Sequence, residues 1–228
     1  MKIYNCIFIL IIFFFVSNIY SQDYIASASI GYGLYNMSSL KGFQKDILNN
    51  YQNINLKTVD SFPPFFNYQM QITNKISSRI NLGIFFEFLT TGGRNTVSDY
   101  SGEFTIDQVV NGYNAGILIE GKILEKQMKN LYFVCQLSAI YSTLLYKQYL
   151  KLGDQTNLRS DNFSSLGIGL EPGVAYEIIS SFVNIRLKLG FNTNLSQNFH
   201  LDGNSSAKMN IYPDWTGLRF GISVGYAI

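Results

Sequence analysis

The chain is 228 residues long, and its 17 Lys plus Arg against 15 Asp plus Glu give a formal net charge of +2 at pH 7. So small a surplus excludes nucleic acid or another polyanion as a partner held by bulk charge. The length suits one domain of the all-β size range.

Residues 1–21 have the layout of a secretory signal: Lys2, the apolar run "IFILIIFFFV" from Ile7 to Val16, then "SNIYS". The run is too short to cross a bilayer as a helix. Cleavage is expected after Ser21, making residues 1–21 a cleaved signal peptide and residues 22–228 the folded domain. Cys6 lies outside any lipoprotein-type box and leaves with the signal. Cys135 is then the single cysteine, which excludes an intramolecular disulfide. No second apolar run has the length of a membrane helix, so a membrane-spanning form of this chain has to be a closed barrel.

Downstream the pattern is alternation with period two, which places successive side chains on opposite faces of a strand. Residues 23–35 set Tyr24, Ala26, Ala28, Ile30, Tyr32 and Leu34 against Ser27, Ser29, Gly31 and Gly33. The link over 36–64 contains "SSLKGFQKDILNNYQN", in which Leu40, Phe43, Ile47 and Tyr51 share one side of a short helix that Ser38 or Ser39 would cap. That helix reads as a lid over a barrel mouth in preference to a partner-binding element. "FPPFF" at 62–66 is a rigid lead into the second strand, because proline fixes the backbone and supplies no donor.

The second strand, 65–73, opposes Phe66, Tyr68, Met70 and Ile72 to Asn67, Gln69 and Gln71. The third, 79–89, reads "RINLGIFFEFL": Ile80, Leu82, Ile84, Phe86 and Phe88 form one face, and Arg79 and Glu87 lie on the other. The fourth, 105–124, opposes Ile117 and Ile119 to Asn114, Glu120 and Lys122. The fifth, 130–150, turns Phe133, Cys135 and Leu137 away from Gln136, Ser138 and Ser142. The sixth, 164–178, opposes Leu166, Ile168 and Leu170 to Glu171, Gly173 and Glu177. The seventh, 181–193, opposes Ile185, Leu187 and Leu189 to Arg186, Lys188 and Gly190. The eighth, 215–228, opposes Phe220, Ile222 and Val224 to Arg219, Gly221 and Ser223. The links alternate. Long ones over 36–64, 91–104, 151–163 and 194–214 are separated by short ones at "TNKIS", "EKQMK" and "SS", the layout of an outer-membrane barrel.

The polar face decides which side meets lipid. It carries the strand glycines, with Gly121 the exception, and few charges: Arg79, Glu87, Glu120, Lys122, Glu171, Glu177, Arg186, Lys188 and Arg219. A solvated exterior needs more charge and less glycine. The lumen of an eight-stranded barrel is just wide enough to be filled by side chains, and glycine there makes room for the charged ones. The expectation is therefore a lumen ion-pair network of these residues, five basic and four acidic, with Lys188 opposite Gly173 and diagonal to Glu171. Tyr24, Phe133, Tyr176 and Tyr226 near the short turns, and Phe66, Tyr68 and Phe191 near the long loops, are expected to form two aromatic girdles.

Over residues 22–228 the chain resembles the small eight-stranded outer-membrane barrels, the OmpA/OmpX-like and PorT-like group. The last strand, "LRFGISVGYAI", looks like the C-terminal insertion signal of such barrels, with Ile228 in place of the usual phenylalanine. Pattern and resemblance together lead to an all-β chain: an eight-stranded antiparallel up-and-down transmembrane β-barrel with a short helix in the first long loop. It is placed in the bacterial outer membrane, surrounded by outer-membrane lipid, with another envelope or extracellular protein as a candidate partner of the loops.

Signals for chemistry are weak. His200, the sole histidine, lies in "NFHLDGNSS" beside Asp202, Ser205 and Ser206, residue types that a Ser/His lipid hydrolase uses. Their spacing matches no motif, and surface loops are rich in such residues. One histidine and one lipid-facing cysteine do not suggest a metal site. "GYGLYN" and "GIGLEPG" lack the helix that follows a phosphate-binding glycine loop. The N-x-S triplets at Asn36, Asn162, Asn194 and Asn204 carry little weight in a bacterial barrel. The expected function is non-enzymatic, without cofactor or metal, exerted through the loops in binding or envelope integrity. The alternatives are a narrow ion or small-solute channel, a lipid-modifying enzyme built on His200, and a secretion accessory role that only the PorT-like resemblance suggests.

Overall fold

The computed structural model describes residues 24–100, 102–123, 130–179 and 183–227. The expected signal peptide, the "EKQMK" link and the expected "SS" turn lie outside them. The elements in chain order are β1 (Tyr24–Gly33), α1 (Ser38–Asn50), β2 (Lys57–Ser61), β3 (Phe65–Lys75), β4 (Ile80–Asp99), β5 (Gly102–Lys122), β6 (Leu131–Leu152), β7 (Gln155–Ile179), β8 (Asn184–Ser196), β9 (His200–Leu201), β10 (Asn204–Lys208) and β11 (Gly217–Ala227). Strands β1, β3, β4, β5, β6, β7, β8 and β11 pair antiparallel in that order, and β11 returns to β1 from Ala227 opposite Ile25 to Arg219 opposite Gly33. Closure matters physically: an open edge in hydrocarbon would leave a row of amides and carbonyls unpaired.

The alternation read from sequence sorts to the two sides of this ring. Ile30, Met70, Ile84, Ile117, Leu170 and Ile222 point outward and are exposed, whereas Asn67, Gln71, Glu87, Asn114, Glu120 and Gln136 are buried within. Outward Phe133, Tyr176 and Tyr226 mark the short-turn rim, and Phe66, Tyr68 and Phe191 the other. Tyr32 and Phe66 meet edge-on at 5.5 Å in the second girdle, and Phe88 and Tyr113 lie 5.4 Å apart. Phe133 to Tyr141 spans about 27 Å of strand, which at the usual tilt gives an apolar belt roughly 20 Å tall.

The ring is lopsided. Strands β4 to β7 have 20, 21, 22 and 25 residues, against 10, 11, 13 and 11 for β1, β3, β8 and β11. Segments 91–104 and 151–163, expected as loops, are almost wholly strand. The β4–β5 ladder continues from Leu89 opposite Gly112 to Asp99 opposite Gly102, and the β6–β7 ladder ends in a two-residue turn at Gly153 and Asp154, with Gly153 at φ 58°. Beyond the belt neither face meets lipid, so the apolar alternation that marks a strand fades while the backbone ladder persists. The four strands form a wall rising about 25 Å past the upper girdle. β2 extends the wall along β4, and β9 along β7.

Helix α1 packs against the inner side of this wall, burying Leu40, Gln44 and Ile47. Neither serine caps it. Met37 holds the cap position in the left-handed region at φ 48° without a side-chain bond. The Ser38 hydroxyl instead donates to Asp214 at 3.2 Å, and that of Ser39 accepts the Tyr212 amide at 3.2 Å. These serines tie the first long loop to the last one, a use that outcompetes local capping. Tyr51, at the helix end, is exposed on one side and meets Phe104 at 5.3 Å.

Candidate functional site: the filled lumen and its cover

Near the short-turn rim Arg186 bridges two carboxylates, Glu120 at 2.9 Å and Glu177 at 3.0 Å, with every partner nearly fully buried. Asn81 donates to Glu120 at 3.0 Å, the Tyr132 hydroxyl donates to Glu177 at 2.9 Å, and Asn184 also donates to Glu177. The guanidinium lies 5.4 Å from the Tyr132 ring centre. Higher up, Arg219 bridges Glu87 at 2.7 Å and Glu171 at 3.0 Å. Asn67 and Asn114 complete Glu87 at 2.8 and 2.9 Å. In the lower cluster the guanidinium fork is shared by two carboxylates whose other lone pairs are met by amides and a phenol, the condition under which a charge tolerates burial, whereas in the upper one Arg219 Nη1 alone reaches both carboxylates and amides complete Glu87.

Lys188 donates to Gln71 at 2.5 Å. It lies opposite Ala175, and Gly173 lies opposite Gly190, two residues from the expected register. Gly190 is the residue that makes room: a Cβ there would sit 2.8 Å from Glu171 Oε1. Two of the nine expected lumen charges lie at the short-turn rim. Arg79 is exposed in the β3–β4 turn and Lys122 is half-exposed at the last position of β5. At a rim a long cation reaches water. The lumen thus sets Glu87, Glu120, Glu171 and Glu177 against Arg186, Lys188 and Arg219.

Beside the upper cluster is a cavity of about 30 Å³ lined by Gln69, Glu87, Glu171, Lys188 and Arg219. At roughly 10–15 Å³ for each, it has the size of one or two waters. Arg219 Nε and Nη2 and Gln69 Nε2 have no protein acceptor and are the donors that such waters would serve.

Above the charges the lumen turns apolar. Trp215 is 0% exposed and packs with Tyr35, Met37, Leu40, Phe62, Leu89, Val110, Ile140, Leu144, Phe199 and Ile211. Its indole N–H donates to the Ser142 hydroxyl at 2.9 Å, its backbone N–H donates to Asn194 at 3.0 Å, and its carbonyl accepts from Asn192 at 3.0 Å. Tyr35 meets its face edge-on at 4.9 Å. Gly112 allows this packing, since a Cβ there would lie 2.9 Å from the indole. Asp214 then joins both loops, accepting from Asn36 at 2.6 Å and from the Thr216 amide at 3.2 Å. Phe62, in the left-handed region at φ 49°, fills the remaining corner over Gly93. The proline stretch thus buries Phe62 in this apolar cluster as well as leading into β3.

On the outer face of the wall Arg94 pairs with Asp107 at 2.5 Å, and this hydrogen-bonded carboxylate holds the exposed guanidinium above its ordinary pKa. His200 lies in β9 opposite Ser164, half-buried; Asp202 is in the turn that follows, and the side chains of Ser205 and Ser206 lie outside the described residues. Among the described residues no three His, Cys, Asp or Glu side chains converge as a metal site would require.

The apolar cluster around Trp215 and the amides that finish the ion pairs were not read from the sequence. Parity alone would have turned Leu89, Ile140 and Leu144 inward, and three apolar residues on a polar face were the available signal.

No protein-family model and no curated protein matches the chain. Among solved structures it is similar to Ail, the attachment invasion locus protein of Yersinia pestis, at 14% identity and TM-score 0.38 over 90% of this chain and 98% of that one. It is also similar to Neisserial surface protein A, at 12% identity and TM-score 0.34 over 91% and 98%. A major outer membrane protein from Thermus thermophilus gives 11% identity and TM-score 0.48 over 89% and 99%. With its closed eight-strand ring, its apolar belt between aromatic girdles and its polar lumen, the chain has the fold of a small eight-stranded transmembrane β-barrel.

Proposed function

We propose that this barrel is closed to ions, catalyses no reaction, and serves as a membrane-anchored binding surface through the wall formed by β4 to β7. One observation carries the first part: an ion leaving the charged middle of the lumen would have to cross Trp215, Leu89, Val110, Ile140 and Leu144, all 0% exposed and without a charge to replace its hydration. The wall supports the second part. Its tips present Tyr100 (104% exposed), Leu152 (53%) and Leu158 (67%) well beyond the lipid belt, where they are accessible to another molecule. Along β7, residues 155–161 have β6 as their ladder partner among the described residues, so the opposite edge is open to an added strand of another envelope or extracellular protein.

The test is single-channel recording across a planar bilayer with the refolded barrel, its folding verified by the change of gel mobility on boiling. A silent bilayer supports the closed lumen and directs the search for function to the wall. Discrete, reproducible steps would overturn it in favour of a narrow channel using the Glu171, Lys188 and Arg219 region.

A further inference from the structure

The wall has a gap on its outer face just above the upper girdle. The β2–β4 ladder ends at Ser61 opposite Gly93, and the β3–β4 ladder starts at Asn67 opposite Leu89. Among the described residues, Thr90, Thr91 and Gly92 therefore have no strand beside them on that side. The chain that crosses the gap folds inward: Phe62 is buried, its amide donates to the Gly92 carbonyl at 2.9 Å, and the Thr91 hydroxyl donates to the Pro63 carbonyl at 2.9 Å. What remains outside is a hollow of about 470 Å³, within the range of roughly 300–1,000 Å³ typical of small-molecule sites. Pro63 and Phe65, both exposed, line one part of it, and Asp60, Arg94 and Asp107 line another. Arg94 stands in the middle of a row across three strands, with Asp60 opposite it on β2 and Asp107 opposite it on β5. Its Nε and Nη2 donate to Asp107 at 2.5 and 3.0 Å, which leaves Nη1 without a protein partner among the described residues.

We propose that this hollow binds a saccharide that is neutral or carries an amine. Three features select that class. First, the guanidinium, the two carboxylates and the Thr90 hydroxyl set donors beside acceptors, which matches adjacent sugar hydroxyls that each donate and accept. Thr90 already donates to Asn111 at 2.8 Å, so its free role is acceptor. Second, Pro63 and the Phe65 ring, 44% exposed and edge-on to Phe66 at 6.1 Å, give an apolar wall for the C–H face of a pyranose. Third, two carboxylates against one guanidinium make the lining net negative, which turns away a phosphate or sulfate. Other occupants fail on size or solvation. Three unpaired positions of β4 are too few for an added strand, and an acyl chain would strip water from the Arg94–Asp107 pair without replacing it. Thr90 is two residues past Phe88, which meets Tyr113, and so about 7 Å further along the strand. The hollow is thus level with lipid headgroups, where the sugar of a membrane glycolipid and a free glycan both reach it. It lies at the base of the wall, apart from the tips and the β7 edge, and stands whatever those bind.

The experiment reads binding of the fluorescently labelled barrel, folded in phosphatidylcholine nanodiscs and verified by its heat-modifiable gel shift, to a printed array of neutral, amine-bearing and sulfated glycans. Wild type is expected to bind neutral or amine-bearing glycans and to pass over sulfated ones. Arg94→Ala, or Asp107→Asn should the first fail to show the gel shift, is expected to weaken that binding about tenfold or more, the worth of one hydrogen bond to a charged group. Repeating the array with lipopolysaccharide in the nanodiscs separates the two sources. Signal lost in those discs assigns the site to a membrane glycolipid, and signal kept assigns it to a free glycan. Three results would overturn the proposal: no glycan bound above empty nanodiscs, a preference for sulfated glycans, or binding by the folded variants equal to that of wild type.

Discussion

Replacing Arg219 with methionine removes the cation that two buried carboxylates share. Arg219 donates to Glu87 at 2.7 Å and pairs with Glu171 at 3.0 Å, and its side chain is 5% exposed. Breaking such a pair from one side costs about 3–5 kcal/mol, because the partner charges stay buried without compensation. Two carboxylates depend on this one guanidinium, so the upper part of that range is expected. With a urea m-value of about 2 kcal/mol/M, the unfolding midpoint falls by roughly 2 M. The assay is urea titration of the barrel refolded into lipid vesicles, followed by the fluorescence of Trp215, the single tryptophan of the chain and a fully buried one. Adding Glu87→Gln and Glu171→Gln to the methionine variant removes the stranded charge and is expected to recover most of the loss. An unchanged midpoint for Arg219→Met would refute the reasoning: it would mean that the carboxylates are solvated or protonated without help. A triple variant no more stable than the single one would equally show that charge burial was not the cause of the loss.

Trp215→Ala empties the centre of the apolar plug and is expected to cost about 3–5 kcal/mol in the same titration, read by gel mobility because the fluorophore is gone. It should also turn a silent bilayer into one with discrete steps; continued silence would place the seal elsewhere. Gly33→Ala drives a Cβ into the Tyr35 ring, so Tyr35 has to leave its edge-on contact with Trp215, at an expected cost of about 1–3 kcal/mol in the urea titration. Asp214→Ala releases Asn36 and Ser38, and faster amide exchange in α1 at unchanged exchange in β5 and β6 is the expected signature. Arg94→Ala serves as the contrast: its ion pair with Asp107 is on the exposed outer face, and the midpoint is expected to move by less than about 1 kcal/mol equivalent.

Much of the barrel was legible one strand at a time. Glu87, Glu120, Glu171, Glu177, Arg186, Lys188 and Arg219 could be turned inward, and Met70, Ile84 and Ile222 outward, because the pleat of a strand sends alternate side chains to opposite faces whatever the strand pairs with. The number of strands in the ring followed from the count of such stretches. Parity is weakest at the margins. Arg79 sits in a turn outside the ladder, Lys122 at the last pair of its ladder, and the upper halves of β4 to β7 rise where no lipid enforces alternation.

Only the tertiary structure decided which inward groups meet. Arg219 reaches Glu87 from a position 132 residues away, and the indole of Trp215 reaches Ser142 across 73 residues. Those meetings depend on how the strands stagger as the ring closes and on how the first and last loops fold down into its mouth. The two-residue shift that puts Lys188 beside Ala175 has the same origin, since a shift of two preserves every face and leaves no trace in the alternation. The sequence by itself determined which face each strand residue takes, because that choice is local to the backbone. Closure of the ring determined the partners, because contacts across a lumen are set by relative strand positions that no single strand contains.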